Sequence, residues 1–276
     1  MNFRRVIVLD LASLGVGECS DANRFNSVGA DTLGHIAALD GDDFQLPTLN
    51  RLGLGNIRYS DPIVGLPPAD DPIGFFGKIR SKSRDNSTLS GLREMFDFQS
   101  PTRTTSVIDS IVGLLGVHSI LISNYQSYLS NQNEAEVIPV NTDDAGFDQL
   151  HQQVVAPNNG LLYFRTMGLQ ANNASGNVKG SVAALKLVDQ HLARLMRELY
   201  STDLLIITAS FANDSTLDVT PTREYLPLIA YTSSSPEGKV LGIRRTLADI
   251  GATIGEIFGL DISNESIGKS FLGELK

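Results

Sequence analysis

The chain has 276 residues, with a hydrophobic content of 42% and a charged content of 19%, as is ordinary for a globular protein with a sizeable core. Its formal net charge of -9 repels phosphate backbones and anionic lipid, and the short basic stretch 78–84 is followed by Asp85, so we expect neither a nucleic-acid nor a membrane partner. The one cysteine, Cys19, excludes an internal disulfide and a thiolate metal cluster, and since no apolar stretch approaches the ~20 residues that span a bilayer, the expected location is the cytoplasm.

Five apolar runs have the pattern of strands that are buried on both faces. They are 5–11, 118–123, 160–166, 203–209 and 226–232. Apolar residues at three- and four-residue spacing predict two helices. These are 179–199 and 245–258, and Gly259 would cap the second. The segment 59–105 is rich in Pro, Gly, Ser and Asp, and we interpret it as a long excursion over one end of the sheet.

Strands that alternate with helices predict an α/β fold, a three-layer α/β/α sandwich with a mostly parallel central sheet. We find no internal repeat and no linker, so residues 1–276 are expected to form a single domain. In such sheets the ligand crevice lies beyond the carboxyl ends of the strands. The residues of interest therefore follow Leu11, Ser123, Thr166 and Ala209.

Several stretches of the chain are recognisable together. They are GVGECSDANRFNSVGADTLGHIA (15–37), LPTLNRLGLGNI (46–57), TREYLPLIAY (222–231), RRTLADIGATIGEIFGL (244–260) and the terminal GKSFLGELK. In this order they resemble the phosphopentomutases, metal-dependent members of the alkaline phosphatase superfamily that move phosphate between C1 and C5 of ribose or deoxyribose. The resemblance implies an alkaline phosphatase-like core. It also implies two divalent metals held by Asp and His, and a threonine that carries the phosphate.

This chain departs from the family at the positions of the metal ligands. Aligned without gaps, the first family Asp falls on Ala12, and Asp10 would replace it only if two residues were inserted. An adjacent Asp and His of the family fall on Ser210 and Phe211, and the His that precedes TREY falls on Pro221. One isolated carboxylate does not hold a two-metal centre, so we expect no metal and no cofactor.

Other family positions also differ. A family Asp and His that follow the third strand fall on Thr166 or Gly168 and on Asn173, and Thr88 takes the place of the phosphate-carrying threonine. Without metals its hydroxyl is a poor nucleophile. The family inserts a cap domain after a motif that reads STLSGLRE here (87–94), and sequence from beyond the cap follows almost at once. The chain is therefore expected to be the core without its cap.

Three residues are candidates for acid–base chemistry: Asp10, His35 and Ser210. An acid within an apolar strand is costly unless it is paired or neutral, which suits either a proton-transfer group or a hydrogen-bonded structural aspartate. His35 could be oriented by Asp31 as an acid or base, or Asp31 could simply cap a helix in which His35 packs. Both alternatives remain open from the sequence.

The remaining candidates would contact a ligand in the crevice. They are Ser13, Thr88, Thr166, Asn173, Phe211, Asn213 and Arg223. Arg223 and Glu224 are expected either to form a structural pair or to contact an anionic group of a ligand.

Three functions are compatible with these residues. The first is a degenerate, metal-independent homologue that has lost phosphomutase activity and binds a small molecule or a protein partner in the vacated crevice. The second is a repurposed metal-free enzyme that uses acid–base chemistry on a new, larger substrate. The third is residual phosphopentomutase activity.

Overall fold

The computed structural model describes residues 2–96, 118–124, 135–235, 237–260 and 267–276. The described strands form one eight-stranded sheet. They are β1 (Arg5–Asp10), β2 (Phe75–Ile79), β3 (Ser119–Ser123), β4 (Ala135–Pro139), β5 (Gly160–Arg165), β6 (Asp203–Thr208), β7 (Leu226–Tyr231) and β8 (Val240–Arg244). Their order across the sheet is β4-β3-β5-β1-β6-β7-β2-β8.

The sheet is mixed but mostly parallel, as predicted. Strands β4, β3, β5, β1 and β6 run parallel to one another. β7 is antiparallel to both β6 and β2, while β2 and β8 are parallel. The five predicted strands are all present, and the sequence did not reveal β4, β8 or the direction of β7.

The interpretation of 59–105 as an excursion outside the sheet is wrong for residues 75–79. They form β2, which lies between β7 and β8 and is a full member of the sheet. Its sequence, FFGKI, is only five residues long and contains a glycine, so it carries little of the strand signal.

The described helices fall into two packed groups. They are α1 (Thr32–Asp40), α2 (Pro47–Arg51), α3 (Ser90–Phe96), α4 (Asp143–Val155), α5 (Gly168–Ala174), α6 (Val178–Glu198) and α7 (Ala248–Ile257). Helices α1, α2, α4 and α5 pack against α6, and α3 packs against α7. Both predicted helices are present, and Gly259 follows α7 with a φ of +68°, as a C-terminal cap glycine does.

The core is the centre of the sheet. Every residue of β1, β5 and β6 is buried, which requires cover on both faces and confirms the layered α/β architecture. Within the described ranges, no helix is both long enough and apolar enough to cross a membrane.

The register of the central strands fixes where the crevice lies. Asp10 is opposite Arg165 on one side and Thr208 on the other, so β1, β5 and β6 end at the same level. The segments that follow these strands therefore meet at one edge of the sheet, together with the segment that enters the antiparallel β7. We call this the carboxyl edge.

Candidate functional site

Three segments interlock at the carboxyl edge. Ser13 forms an isolated parallel bridge with Ala212, and Ala212 forms an antiparallel bridge with Thr222. Ser13 has a φ of +86°, which is unusual for a residue with a side chain and marks a strained turn directly after β1. The Asn173 amide donates to Ser13 Oγ at 2.9 Å and so ties α5 to this turn. Ser13 and Asn173 are thus brought together, both fully buried.

Asp10 is buried and hydrogen-bonded at the end of β1. Its Oδ2 accepts the hydroxyl of Tyr163 at 2.6 Å, and its Oδ1 accepts the backbone N–H of Ser210 at 2.8 Å. Its carbonyl accepts both the N–H and the hydroxyl of Thr166, at 2.9 and 3.3 Å. Asp10 therefore connects the ends of β5 and β6, and both of its carboxylate oxygens are engaged by protein donors.

The donors at this edge do not fit the two-metal centre that the resemblance implies. Ala12, Phe211 and Pro221 offer no oxygen or nitrogen side-chain ligand, and Ser210 offers only a neutral hydroxyl. In the described part of the chain, no group of three or more His, Cys, Asp and Glu side chains is placed to hold a metal ion. A divalent cation needs several converging anionic or imidazole ligands, so no metal-dependent step follows from these residues.

A buried arginine lies beside Phe211. Arg165 ends β5, is 1% exposed, and places its guanidinium carbon 5.4 Å from the centre of the Phe211 ring. It also donates to the carbonyl oxygen of Thr88 at 3.3 Å and to Gln170 Oε1 at 3.2 Å. Thr88 is therefore brought to the carboxyl edge, with Arg165 as the link. Arg165 was not among the candidates predicted from the sequence, although a charged residue at the end of the apolar run GLLYF was its visible signal.

A small cavity lies at this edge. Ser210, Phe211, Gly91 and Arg223 are among the residues that line a space of about 20 Å³. That volume holds about one water molecule. The hydroxyl of Ser210 is buried, with no hydrogen-bond partner among the described residues. Asp10 and His35 do not line this space, so the three acid–base candidates do not converge on it.

His35 forms a dyad with Asp214. Its Nδ1 lies 2.6 Å from Asp214 Oδ2, and the hydroxyl of Thr216 lies 3.0 Å from the same nitrogen. The His35 side chain is 41% exposed, while Asp214 is 1% exposed. Burial by itself would raise the pKa of Asp214, but hydrogen bonds from the Asp31 N–H, Thr216 and His35 outweigh it and lower that pKa. The dyad is therefore a half-exposed imidazole held by a buried, ionised carboxylate.

Asp31 caps α1 and does not orient His35. Its carboxylate accepts a hydrogen bond from the N–H of Gly34 at 3.2 Å and forms an ion pair with Arg58. The capping alternative from the sequence is confirmed, and the proposed orienting role of Asp31 is wrong, because Asp214 takes that place. Asp214 comes from the loop after β6, 179 residues away in sequence, so spacing along the chain could not reveal the pair.

Glu224 is a buried carboxylate next to this dyad. Its Oε1 accepts the hydroxyls of Thr32 and Thr222, each at 2.6 Å, and its Oε2 accepts the Thr32 N–H at 2.8 Å. Burial raises the pKa of Glu224 against these hydrogen bonds, and the nearby charge of Asp214 raises it further. Glu224 thus joins the start of α1 to the segment that precedes β7.

Arg223 faces away from Glu224, so the expected pair between them does not form. Its guanidinium makes a two-pronged ion pair with Asp21, at 3.2 and 2.9 Å. It also donates to the carbonyl oxygens of Ser83 and Ser81, at 3.1 and 2.7 Å. Asn213, the last candidate, donates to the carbonyl oxygen of Val219 at 2.9 Å and closes the loop after β6.

The fold places the chain among the alkaline phosphatase-like α/β proteins. It matches a Vibrio parahaemolyticus protein of the alkaline phosphatase superfamily with a TM-score of 0.58 at 12% identity, over 99% of this chain and 70% of that one. A putative sulfatase from Bacteroides thetaiotaomicron gives a TM-score of 0.58 at 9% identity, over 99% and 74%. At such identities the likeness shows the fold alone.

The sequence identifies the family within that class. Residues 4–262 match the Metalloenzyme superfamily, and the chain belongs to it. It is 25% identical to the phosphopentomutase of Levilactobacillus brevis over 398 aligned positions, which cover 100% of both chains. It is 26% identical to the phosphopentomutase of Caldanaerobacter subterraneus over 392 positions, which cover 99% of this chain and 98% of the relative. The predicted resemblance to phosphopentomutases is confirmed.

Proposed function

We propose that this chain is a phosphopentomutase homologue that has lost metal-dependent phosphoryl transfer and acts by binding a small molecule or a protein partner. The observation that carries the proposal is the contact between Arg165 and Phe211. By the resemblance, Phe211 stands where the family has a histidine ligand. A cation of the protein therefore lies against an aromatic ring at the position that corresponds to a histidine ligand of the relatives.

Electrostatics supports this assignment. A dication at the position of the Phe211 ring would lie about 5.4 Å from the Arg165 guanidinium carbon. With an effective dielectric constant of about 20, the repulsion would be on the order of 6 kcal/mol. Asp10 is the acidic side chain nearest in sequence to the vacated first ligand position, and Tyr163 and Ser210 already occupy its oxygens. The charge of Arg165 and the engaged oxygens of Asp10 therefore disfavour a divalent metal beside Phe211.

The size of the space beside Ser210 limits which ligands could bind in it. The space beside Ser210 is about 20 Å³, far less than a sugar phosphate requires. A protein partner, or a small molecule bound beside the crevice, is therefore favoured over a sugar phosphate inside it. The relatives also contain segments that this chain lacks, because 398 aligned positions exceed its 276 residues. This supports the assignment of residues 1–276 to one core domain without a cap.

Metal content and mutase activity test the proposal together. The purified protein, expressed with added manganese, is analysed for bound metal and assayed for transfer of phosphate between C1 and C5 of ribose. The Levilactobacillus brevis phosphopentomutase is prepared in parallel as the control. We expect well under one equivalent of metal per chain and no mutase activity. Two equivalents of manganese, or activity that chelation abolishes, would refute the proposal.

The His35–Asp214 dyad favours acid–base catalysis as a second candidate function. When Nδ1 donates to Asp214, Nε2 is left as the basic nitrogen of a half-exposed ring. This is the arrangement of a general base, and it uses His35 without Asp10 or Ser210. The substrate would reach His35 from solvent, on the α1 side of the carboxyl edge.

Ester hydrolysis offers a direct probe of this dyad. The rate of p-nitrophenyl acetate hydrolysis is measured against pH for the wild type and for His35→Gln. The exposed His118 provides the matched control His118→Gln. If His35 is a general base, His35→Gln removes most of the rate and His118→Gln does not. Equal rates in all three proteins would exclude the second candidate.

A further inference from the structure

A basic depression adjoins the small space beside Ser210, and Arg223 lines both. It has a volume of about 480 Å³ and is far larger than the space beside Ser210. Its lining includes Arg24, Arg80, Lys82, Arg223, Asp21 and Ser20. The chain as a whole carries a net charge of -9, so this concentration of cations contrasts with the rest of the molecule.

Three of these cations are available to a ligand. Arg24, Arg80 and Lys82 form no ion pair with any carboxylate in the described part of the chain. Arg24 and Lys82 are exposed, and Arg80 is partly buried, with one long hydrogen bond of 3.4 Å to Ser20 Oγ. Like charges held together repel one another, so the arrangement is unfavourable without an anion.

The loop that presents Lys82 is held in place by two buried charged residues. Glu94 accepts the backbone N–H of Lys82 at 2.9 Å and that of Ser83 at 3.0 Å. Arg223 donates to the carbonyl oxygens of Ser81 and Ser83 on the other side. Glu94 and Arg223 are each 5% exposed, which makes this anchoring rigid for a surface loop. The loop is therefore preorganised before any ligand arrives.

Glu94 also connects the loop to the rest of the fold. It accepts hydrogen bonds from the hydroxyl of Thr246 at 2.6 Å and from the N–H of Leu247 at 3.0 Å. These two residues lie just before α7. Arg223 is fixed by Asp21 and stacks on Phe25, with its guanidinium carbon 4.4 Å from the ring centre. Lys82 and Arg24 thus project from elements that are each anchored to buried groups, and their separation is set by the fold.

We propose that this depression binds a small anion with two or more negative charges, of the kind carried by a phosphorylated metabolite. Arginine matches phosphate oxygens through paired N–H donors, and lysine adds a point charge. The volume is within the range of small-molecule sites. The proposal depends neither on the loss of phosphoryl transfer nor on the His35–Asp214 dyad, so its outcome and theirs are separable.

Calorimetric titration of the full chain with inorganic pyrophosphate tests the site. The buffer is metal-free and of low ionic strength. The variant Arg24→Gln/Lys82→Gln removes two exposed cations of the depression, so folding should be unaffected. The variant Lys179→Gln/Arg197→Gln removes two exposed cations elsewhere and changes the net charge equally. It separates a local site from a general charge effect.

We expect one pyrophosphate per chain and an affinity that falls as salt is added. Arg24→Gln/Lys82→Gln should weaken binding at least about tenfold, because it removes charge-assisted hydrogen bonds, and the control should stay within about twofold. No binding by the wild type, or an equal loss in both variants, would overturn the proposal. Binding of single-stranded oligonucleotides or anionic vesicles in place of pyrophosphate would overturn it as well, and would assign the depression to a macromolecule.

Discussion

Asp10 is a buried carboxylate whose hydrogen bonds are made with two neighbouring strands. It accepts from Tyr163 of β5 and from Ser210, which follows β6. The geometry therefore favours a structural role over proton transfer, since neither oxygen is left for a substrate. The catalytic assignment of Asp10 and Ser210 remains a prediction, and the stability of variants distinguishes the two roles.

Replacing Asp10 with alanine should destabilise the protein by about 3 kcal/mol. The substitution removes the charged acceptor of two buried hydrogen bonds, from the Tyr163 hydroxyl and the Ser210 N–H, and a hydrogen bond to a charged group contributes about 1.5–3 kcal/mol. Tyr163→Phe removes only one of the two bonds and should cost about 1 kcal/mol. Urea unfolding measures both variants. If Asp10→Ala unfolds at the wild-type urea concentration, the structural role is wrong.

Glu224 should make stability depend on pH. Its pKa is raised in the folded protein, chiefly by burial, above the value of about 4.3 that an unfolded glutamate has. The stability it contributes is therefore fully present below about pH 4.3 and is lost as the pH rises through the folded pKa. Glu224→Gln mimics the neutral form, so its stability relative to the wild type should increase from pH 4 to pH 8.

Urea unfolding across this range, with the exposed Glu256→Gln as a control, checks the prediction. The pKa of Asp214 is lowered, so in the folded protein this neighbour stays ionised from pH 4 to pH 8 and its own titration does not contribute to the difference. If the free energy of unfolding of Glu224→Gln, minus that of the wild type, stays constant or falls as the pH rises, the raised pKa is contradicted.

The residues of the carboxyl edge could be named from the sequence, but their partners could not. The strand ends follow from apolar runs, so Ser13, Thr166 and Ser210 were expected there. The pairing of His35 with Asp214 joins positions 179 residues apart and depends on the fold. No periodicity carries such information, so the sequence left open whether Asp31 orients His35 or caps α1.

Helix α3 approaches the end of β6 unusually closely. A Cβ atom added at Gly91 would lie 1.7 Å from the carbonyl oxygen of Ser210, which is backbone and cannot rotate away. The glycine is thus required by packing. This contact brings the segment after Thr88 against the carboxyl edge, where Arg165 also bonds to the Thr88 carbonyl.

Gly91→Ala should destabilise the protein by about 2 kcal/mol, although helix propensity alone would favour alanine by up to about 1 kcal/mol. The sign therefore reports whether packing or propensity decides at this position. Gly273→Ala is the matched control, since a Cβ there meets nothing within 4 Å, and it should be close to neutral. Chemical unfolding measures both, and a stabilised Gly91→Ala would show that α3 does not lie against β6.

The helix with the longest apolar stripe was predicted, and three short strands were missed. The helix expected over 179–199 is α6, Val178–Glu198, because its apolar stripe extends over more than five turns. Strands β2, β4 and β8 have five residues each, and Gly77 and Gly242 interrupt two of them. Their pairing comes from neighbours in the sheet, so a single sequence provides little sign of them.

The two edges of the sheet have different roles in the molecule. The carboxyl edge carries the strained Ser13 and the His35–Asp214 dyad. The opposite edge carries a buried ion pair, in which Arg5 binds Asp203 through two hydrogen bonds of 3.0 and 2.6 Å. The Arg5–Asp203 pair thus contributes to stability at the opposite end of the strands from the dyad.

Arg5→Ala should lower the stability of the whole molecule without affecting ligand binding. Arg5 also donates to the carbonyl oxygens of Gln153 and Ala156, each at 3.2 Å, so it joins β1, β6 and the end of α4. Its loss leaves Asp203 buried and unpaired, at a cost of about 3–5 kcal/mol. The double variant Arg5→Met/Asp203→Leu removes both charges and should cost less stability than Arg5→Ala.

Urea unfolding measures stability, and pyrophosphate titration of the folded variants measures binding. A change in pyrophosphate affinity, or a loss below about 1 kcal/mol in Arg5→Ala, would show that the two edges are not independent in this way.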